Sequence, residues 1–363
     1  MTSLLDVMKR RPRPLTNLAC EDRVVLFPSV GHLAGDGRHW IVNVHGDVSA
    51  ACGLSLGKRV LLKLLQRTMR VNEQAFASEL FQQRIARFLA QDRPGRRVAV
   101  RIGEQIYPLP KKSRRNGHFQ AAVRVAVEEA REHATAGHGQ ATLLPLDICG
   151  TTDPAVACGQ AYLLAPSGMS IISDIDDTLK HSYVACKRTL LANTFLRPFE
   201  TIPGMSSLFR AWSAAGAAFH YVSSSPWQLY EHLAEHLADE GFPAGTFHLR
   251  AFRLRDHLLR RILMLRRSGK AGGIRTLIKT FPLRKFILVG DSGEHDPEIY
   301  GAMARRFPYQ IAGIYIRQLD GPGNSSRRYA RAFRGVAPSL VRLFRDAGEL
   351  SDQCSGVGQQ GIS

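Results

Sequence analysis

Two textures of apolar residues divide the chain. From Asp22 to about Leu164, short runs such as "RVVLFPSVGHL", "HWIVNVHGDV", "RRVAVRIGEQIYPLP", "GHFQAAVRVAVEE" and "GQATLLPLDI" keep a period near two and are broken by Gly and Pro. That is the pattern of strands joined by turns. One stretch, "KRVLLKLLQRTMRVNEQAFASELFQQRIARFL", shifts to helical spacing, with Leu61, Leu64, Leu65 and Met69 on one stripe. The expectation is a β-rich N-terminal domain over residues 21–164, sandwich-like, carrying a helical insertion. Before it, residues 1–20 are basic and proline-bearing and are expected to form a flexible arm.

After Gly168 the texture changes. "MSIISD", "AFHYVSS", "KFILVGD" and "QIAGIYIR" are apolar runs that each end near a polar residue, with helical segments between them. This alternation predicts an α/β domain with a doubly wound parallel sheet over 165–345. In such sheets ligands bind beyond the carboxyl ends of the strands, and Asp174, Ser223 and Asp291 fall at three of those ends. The final "SDQCSGVGQQGIS" is small and polar, so 346–363 is expected to be a disordered tail.

Charge narrows the partners. Forty-nine Lys and Arg against 31 Asp and Glu leave a formal charge of +18, which favours an anionic partner: nucleic acid, an anionic membrane surface or a phosphorylated substrate. The six cysteines are dispersed, with no paired metal spacing, as expected of reduced thiols in the cytoplasm. The first 20 residues lack the apolar core of a signal peptide, and no run reaches the roughly 18–20 apolar residues of a membrane span. The expectation is a cytoplasmic protein that can act peripherally at the inner face of a membrane.

Three aspartates crowd into "IISDIDDTLKH" behind a β-branched run. Like charges so close call for a neutralising partner. Side chains at i and i+2 leaving a strand can point the same way. Asp174 can therefore serve as nucleophile and metal ligand, and Asp176 as general acid and then base. Asp291 adds an oxygen ligand of the kind Mg²⁺ favours. Asp177 is expected to point away and Thr178 to brace the loop.

"DIDDT" matches the DxDxT signature of haloacid dehalogenase-like (HAD) phosphatases. "HYVSSSP", "GKAGGIRTLIKTFP" and "ILVGDSGEHD" resemble that family's second, third and fourth motifs, in order. "GMSIISDIDDTLKHS", "YVSSSPWQLY", "FPLRKFILVGDSGEHDPEIY" and "IYIRQL" further resemble the catalytic domain of the fungal actin-patch phosphatidate phosphatases and their bacterial relatives, which is related to that of the lipins. The likeness covers about residues 20–320 and is sharpest over 168–317. It implies a HAD-like fold and Mg²⁺-dependent hydrolysis of phosphatidic acid to diacylglycerol and phosphate. By the same resemblance Asp174 forms an aspartyl-phosphate, and Asp176 protonates the leaving oxygen and activates water, which requires a raised pKa. Ser223 holds a phosphate oxygen. Lys270 offsets charge on the nucleophile and the phosphoryl group. Asp174, Asp176 through its backbone carbonyl, and Asp291 hold the metal.

Secondary candidates are Asp296, close enough to Asp291 to touch the metal's water shell, Thr178, Ser225 and Arg317. Ser225 before Pro226 also fits a helix cap, and Arg317 fits either a head-group contact or a strand-end ion pair. Forty-nine residues separate Asp174 from Ser223, and 47 separate Ser223 from Lys270. Neither interval leaves room for a large cap domain, so the site should be open to a bulky substrate. The segment 249–270, "LRAFRLRDHLLRRILMLRRSGK", is a basic amphipathic pattern suited to an anionic membrane surface. Two other functions share parts of this pattern: a nucleic-acid-end or nucleotide phosphatase, and a non-catalytic lipid-binding module. The presence of both Asp174 and Asp176 argues against the second.

Overall fold

The computed structural model describes residues 14–53, 56–137, 141–150, 158–251, 267–321 and 324–353. The basic arm's residues 1–13 and the centre of the amphipathic segment, 252–266, lie outside the described residues.

The alternating runs of the N-terminal half become strands β1 (Arg23–Phe27), β2 (Ser29–Leu33) and β3 (His39–Ala50). The helical stretch gives α1 (Leu56–Met69) and α2 (Glu79–Leu89). Then follow β4 (Gln91–Asp92), β5 (Ala99–Ile102), β6 (Gln105–Pro108), β7 (His118–Ala126), α3 (Val127–His133), β8 (Thr135–Ala136), β9 (Ala141–Ile148) and β10 (Cys158–Leu164). The ten strands belong to one hydrogen-bonded sheet, antiparallel except where β10 runs parallel to β2. Pro28, which lacks an N–H, separates β1 from β2, and both pair with β3.

The second half contains β11 (Ser167–Ser173), α4 (Lys187–Phe195), α5 (Met205–Ala214), β12 (Ala218–Pro226), α6 (Tyr230–Asp239) and β13 (Thr246–Arg250). It continues with α7 (Arg267–Thr280), β14 (Leu283–Asp291), α8 (Asp296–Arg306), β15 (Ile311–Arg317), α9 (Ser326–Ala332) and β16 (Val341–Phe344). Its six strands are all parallel, in the order β13-β12-β11-β14-β15-β16. Strand order reverses between β11 and β14, which creates a crevice at their carboxyl ends.

Helices cover both faces, as the period-two alternation of each strand requires. Ile171, Phe219, Ile287 and Val289 pack with α4, α5 and α6, whereas Ile172, Val222, Leu288 and Ile314 pack with α7 and α8. The first of these cores also takes in Leu61, Leu65, Phe81 and Ile85 from α1 and α2, so the helical insertion joins the second half's packing. Buried Arg84 fixes that join by donating to the carbonyls of Asn193, Thr194 and Arg197 at 2.7–3.2 Å. These are orphan acceptors at the end of α4. Arg284, also buried, ties down the crossover between the sheets through Ala165 O, Ser167 O, Met169 O and Ser170 Oγ.

One expectation needs correction. Part of the segment assigned to a disordered tail, Ala347–Gln353, is a 3-10 helix, and its Ala347 and Leu350 are buried in the core. The polar composition of residues 351–363 masked that apolar contact. Among the described residues no helix is long and apolar enough to cross a membrane.

Candidate active site

The sheet order places Asp174 just beyond β11 and Asp291 at the end of β14, on either side of the reversal point. Asp174 N–H donates to Val289 O at 2.9 Å, joining the two strand ends. Both carboxyl groups are buried, at 1% and 0% exposure. Asp296, the first residue of α8, joins them, and carboxylate oxygens of all three lie within 4.8 Å of one another.

Lys270 is the cation of this cluster. Its Nζ donates to Asp174 Oδ1 at 2.7 Å and lies 2.5 Å from Asp296 Oδ1 and 4.0 Å from Glu294 Oε2. One ammonium thus faces several acids. Burial pushes the Asp174 and Asp291 carboxyls well above the usual carboxylate range. Lys270 opposes the rise for both, and neighbouring acids reinforce it. Asp291 Oδ1 accepts from the backbone N–H groups of Gly293 and Glu294, while its buried Oδ2 has no donor among the described residues. An orphaned buried oxygen within a set of hard carboxylate donors fits a divalent cation such as Mg²⁺.

Asp176 sits in a different environment two residues on. Its Oδ1 accepts from Lys180 Nζ and Ser182 Oγ, both at 2.7 Å. Its Oδ2 accepts from Ser223 Oγ at 2.8 Å and Ser225 Oγ at 2.7 Å. Burial alone would raise its pKa, but the Lys180 charge and the hydrogen bonds from Lys180, Ser182 and Ser225 outweigh it and hold the carboxyl well below the ordinary value. This corrects the expectation of a raised pKa. The donors on the returning loop, unseen in a motif-level reading, reverse the sign.

Asp177, at a left-handed φ of 56°, is structural. Its carboxylate accepts from the N–H groups of Ser182, Tyr183 and Val184, each at 2.8 Å, and so folds that loop back over Asp176. Thr178 Oγ1 braces Asp174 Oδ2 at 3.2 Å. The crowded aspartates are therefore neutralised separately: Asp174 by Lys270, Asp176 by Lys180 and three serines, Asp177 by backbone N–H groups.

The remaining candidates divide. Ser223 reaches the site but is spent on Asp176, and Ser225 joins it there. Its hydroxyl caps no helix, because the following 3-10 turn has Pro226 at its cap position and no side-chain cap bond. The side chain of Asp176 is held by Lys180 and the serines and is not part of the three-carboxylate group, where Asp296 supplies the third carboxylate. Arg317 donates to Asp177 O at 3.0 Å, a loop brace. Lys180, Ser182 and Glu294 were not singled out in the sequence. Lys180 stands four residues after Asp176 within "DIDDTLKHS". Glu294 lies in the acidic "GDSGEHD" loop, accepts from Ser224 Oγ at 3.2 Å, and is pushed up to about 7 by burial, against the opposing charge of Lys270.

A model of the phosphatidate phosphatase APP1 catalytic domain matches residues 169–318, an interval that contains every residue of both carboxylate environments. An uncharacterized protein of Schizosaccharomyces pombe is 38% identical over 161 residues, and the phosphatidate phosphatase APP1 of Saccharomyces cerevisiae is 36% identical over 178. These matches cover 43% and 48% of this chain but only 26% and 30% of the two fungal proteins. A solved HAD-like phosphatase chain of Mesorhizobium loti covers 64% of this chain and 99% of its own, at 16% identity and a TM-score of 0.34, too loose a likeness to bear on the fold. Over residues 169–318, then, this chain is similar to the phosphatidate phosphatase APP1 catalytic domain.

Proposed function

We propose that the protein is an Mg²⁺-dependent phosphatidate phosphatase, releasing phosphate and diacylglycerol through an aspartyl-phosphate on Asp174. The observation that carries this reading is the pairing of a lysine-bonded carboxylate, Asp174, with the acid cluster of Asp291 and Asp296 at the strand-order reversal of the sheet. Asp174, Asp291 and Asp296 would hold the cation, with the Asp176 backbone carbonyl as a further oxygen donor. When bound, the cation screens these carboxylates and polarises the phosphoryl group.

Asp174 attacks phosphorus as the ester P–O bond breaks, and Lys270 offsets negative charge on both. The departing alkoxide needs a proton. Ser223 has one hydroxyl proton, and giving it to a phosphoryl oxygen removes it from Asp176. The arriving negative charge raises the proton affinity of that carboxyl further. Asp176 then takes a solvent proton, passes it to the leaving oxygen, and as a carboxylate accepts one from the water that hydrolyses the aspartyl-phosphate. Asp174 is thereby regenerated. The resting hydrogen bonds of Asp176 place it ready for this second, basic half of the cycle.

The +18 charge and the basic segment 249–270 support action at an anionic membrane surface, from the cytoplasmic side. Phosphate release from phosphatidic acid in mixed micelles, beside a 3′-phosphorylated oligonucleotide and with Mg²⁺ or chelator, tests the reading. Mg²⁺-dependent release from the lipid alone is expected. Release from the oligonucleotide alone would move the protein to nucleic-acid chemistry, and no release from either would leave a lipid-binding module.

A further inference from the structure

A cavity of about 450 Å³ opens where the two sheets meet, and Ser223 and Lys270 stand in its wall. Its floor is one face of α7: Gly269, Lys270, Gly273, Thr276, Leu277 and Thr280. Eleven residues of helix rise about 16 Å, so the cavity is a groove that begins at the candidate phosphate-holding residues and runs away from them. Its volume spread evenly over that length corresponds to a channel roughly 6 Å across. The opposite wall is the N-terminal sheet, through Pro28, Val30, His32, His45 and Gln120. Trp227, stacked on Phe27 with ring centroids 4.0 Å apart, closes one side.

The groove has a charged end and a neutral length. Lys270 and Arg250, its cations, both stand at the carboxyl end of the sheet. Val30, Val222, Phe247, Leu249 and Leu277 supply much of the rest. Burial holds His45 well below the ordinary imidazole value and His248 at about 4, so both are neutral at pH 7.

A second observation concerns the floor of the groove. Gly273 sits inside a helix, where glycine costs about 1 kcal/mol relative to alanine. Yet a Cβ built there, as at Gly269 and Gly272 of the same helix, would meet nothing within 4 Å among the described residues, so no described neighbour requires the missing side chain. A helical glycine with empty space above it, on the floor of a groove, is accounted for if something else comes close to the backbone.

Resting on the phosphatase reading above, we propose that this groove receives one hydrocarbon chain of a lipid phosphomonoester, with the N-terminal sheet as the wall that selects for it. The channel is long and narrow and is neutral beyond its cationic mouth. It starts where the phosphate would be held, which is the order of groups in such a substrate. The N-terminal half thereby acquires a role in specificity.

Gly273→Leu places a side chain in the groove, and Gly273→Ala a smaller one that also favours the helix. The test compares kcat/KM for dioctanoyl phosphatidate and for p-nitrophenyl phosphate in the full-length protein. The lipid-to-small-ester ratio should fall at least tenfold in Gly273→Leu and less in Gly273→Ala. A ratio within twofold of wild type in both variants overturns the proposal. If Gly273→Leu loses its wild-type circular dichroism, Gly273→Ala decides alone, by the same twofold limit. If the wild type hydrolyses neither ester, the phosphatase reading fails. The groove is then judged by calorimetric titration with dioctanoyl phosphatidate under chelator, where at least tenfold weaker binding to the variant supports it. Equal binding, or no binding to wild type, overturns it.

Discussion

Asp174 and Asp176 lie two residues apart, are both buried, and are pushed in opposite directions. Around Asp174 one lysine faces two further acids, Glu294 and Asp296, and an oxygen of Asp291 has no donor among the described residues. Around Asp176 the hydrogen-bonding side chains are all donors: one lysine and three serine hydroxyls. The first environment has surplus negative charge and calls for a cation and a substrate. The second is already satisfied and holds its carboxylate in place. Burial alone therefore says little about the role of a carboxylate; the balance of charges and donors around it decides.

The most severe way to break the comparison is to remove the cation from the satisfied side. Lys180→Met leaves Asp176 as a buried charge with hydroxyl donors only, and should destabilise the fold by about 3–5 kcal/mol. Chemical denaturation measures this, and the double variant Lys180→Met/Asp176→Leu should recover most of the loss.

A smaller effect belongs to the unsatisfied side. Glu294 is held at about 7 in the metal-free protein against an ordinary value of 4.5. Between those values the folded state binds a proton that the unfolded chain does not, so stability falls as pH rises through the window, by up to about 1.4 kcal/mol per pH unit for one group. The raised pKa values of Asp174 and Asp291 act in the same direction. Asp176 has the opposite sign, and its contribution is lost only in acid, below the ordinary value of 3.8. The Tm under chelator should therefore drop between pH 5 and 7. Mg²⁺ at 100 times its Kd should restore about 2.7 kcal/mol at pH 7, and Asp291→Asn should abolish that gain. A Tm that rises over this range under chelator would mean the acid cluster is not in surplus.

The parallel strands were legible because β11, β12, β14 and β15 are short β-branched runs that end in polar residues, and those ends carry Asp174, Ser223 and Asp291. The edges were not. "TFHLR" of β13 and "VRLF" of β16 are four or five residues long with partly exposed side chains, too short to carry a period. Nor can local spacing show that β10 will lie parallel to β2, or that α1 and α2 will pack on helices more than a hundred residues later. In the site, sequence order pointed to Asp174 and Asp291, with Asp296 as a secondary candidate, but not to Glu294 or to the donors that meet Asp176. Lys180 and Ser182 reach Asp176 where the carboxylate of Asp177 folds the loop back, a turn set by one left-handed residue that the motif's spacing does not show.

The most direct measurement is phosphate release from phosphatidic acid by wild type and Asp174→Asn, with Mg²⁺, on samples matched by circular dichroism. The account predicts steady release by the wild type and none above background from the variant. Undiminished release from Asp174→Asn would contradict it.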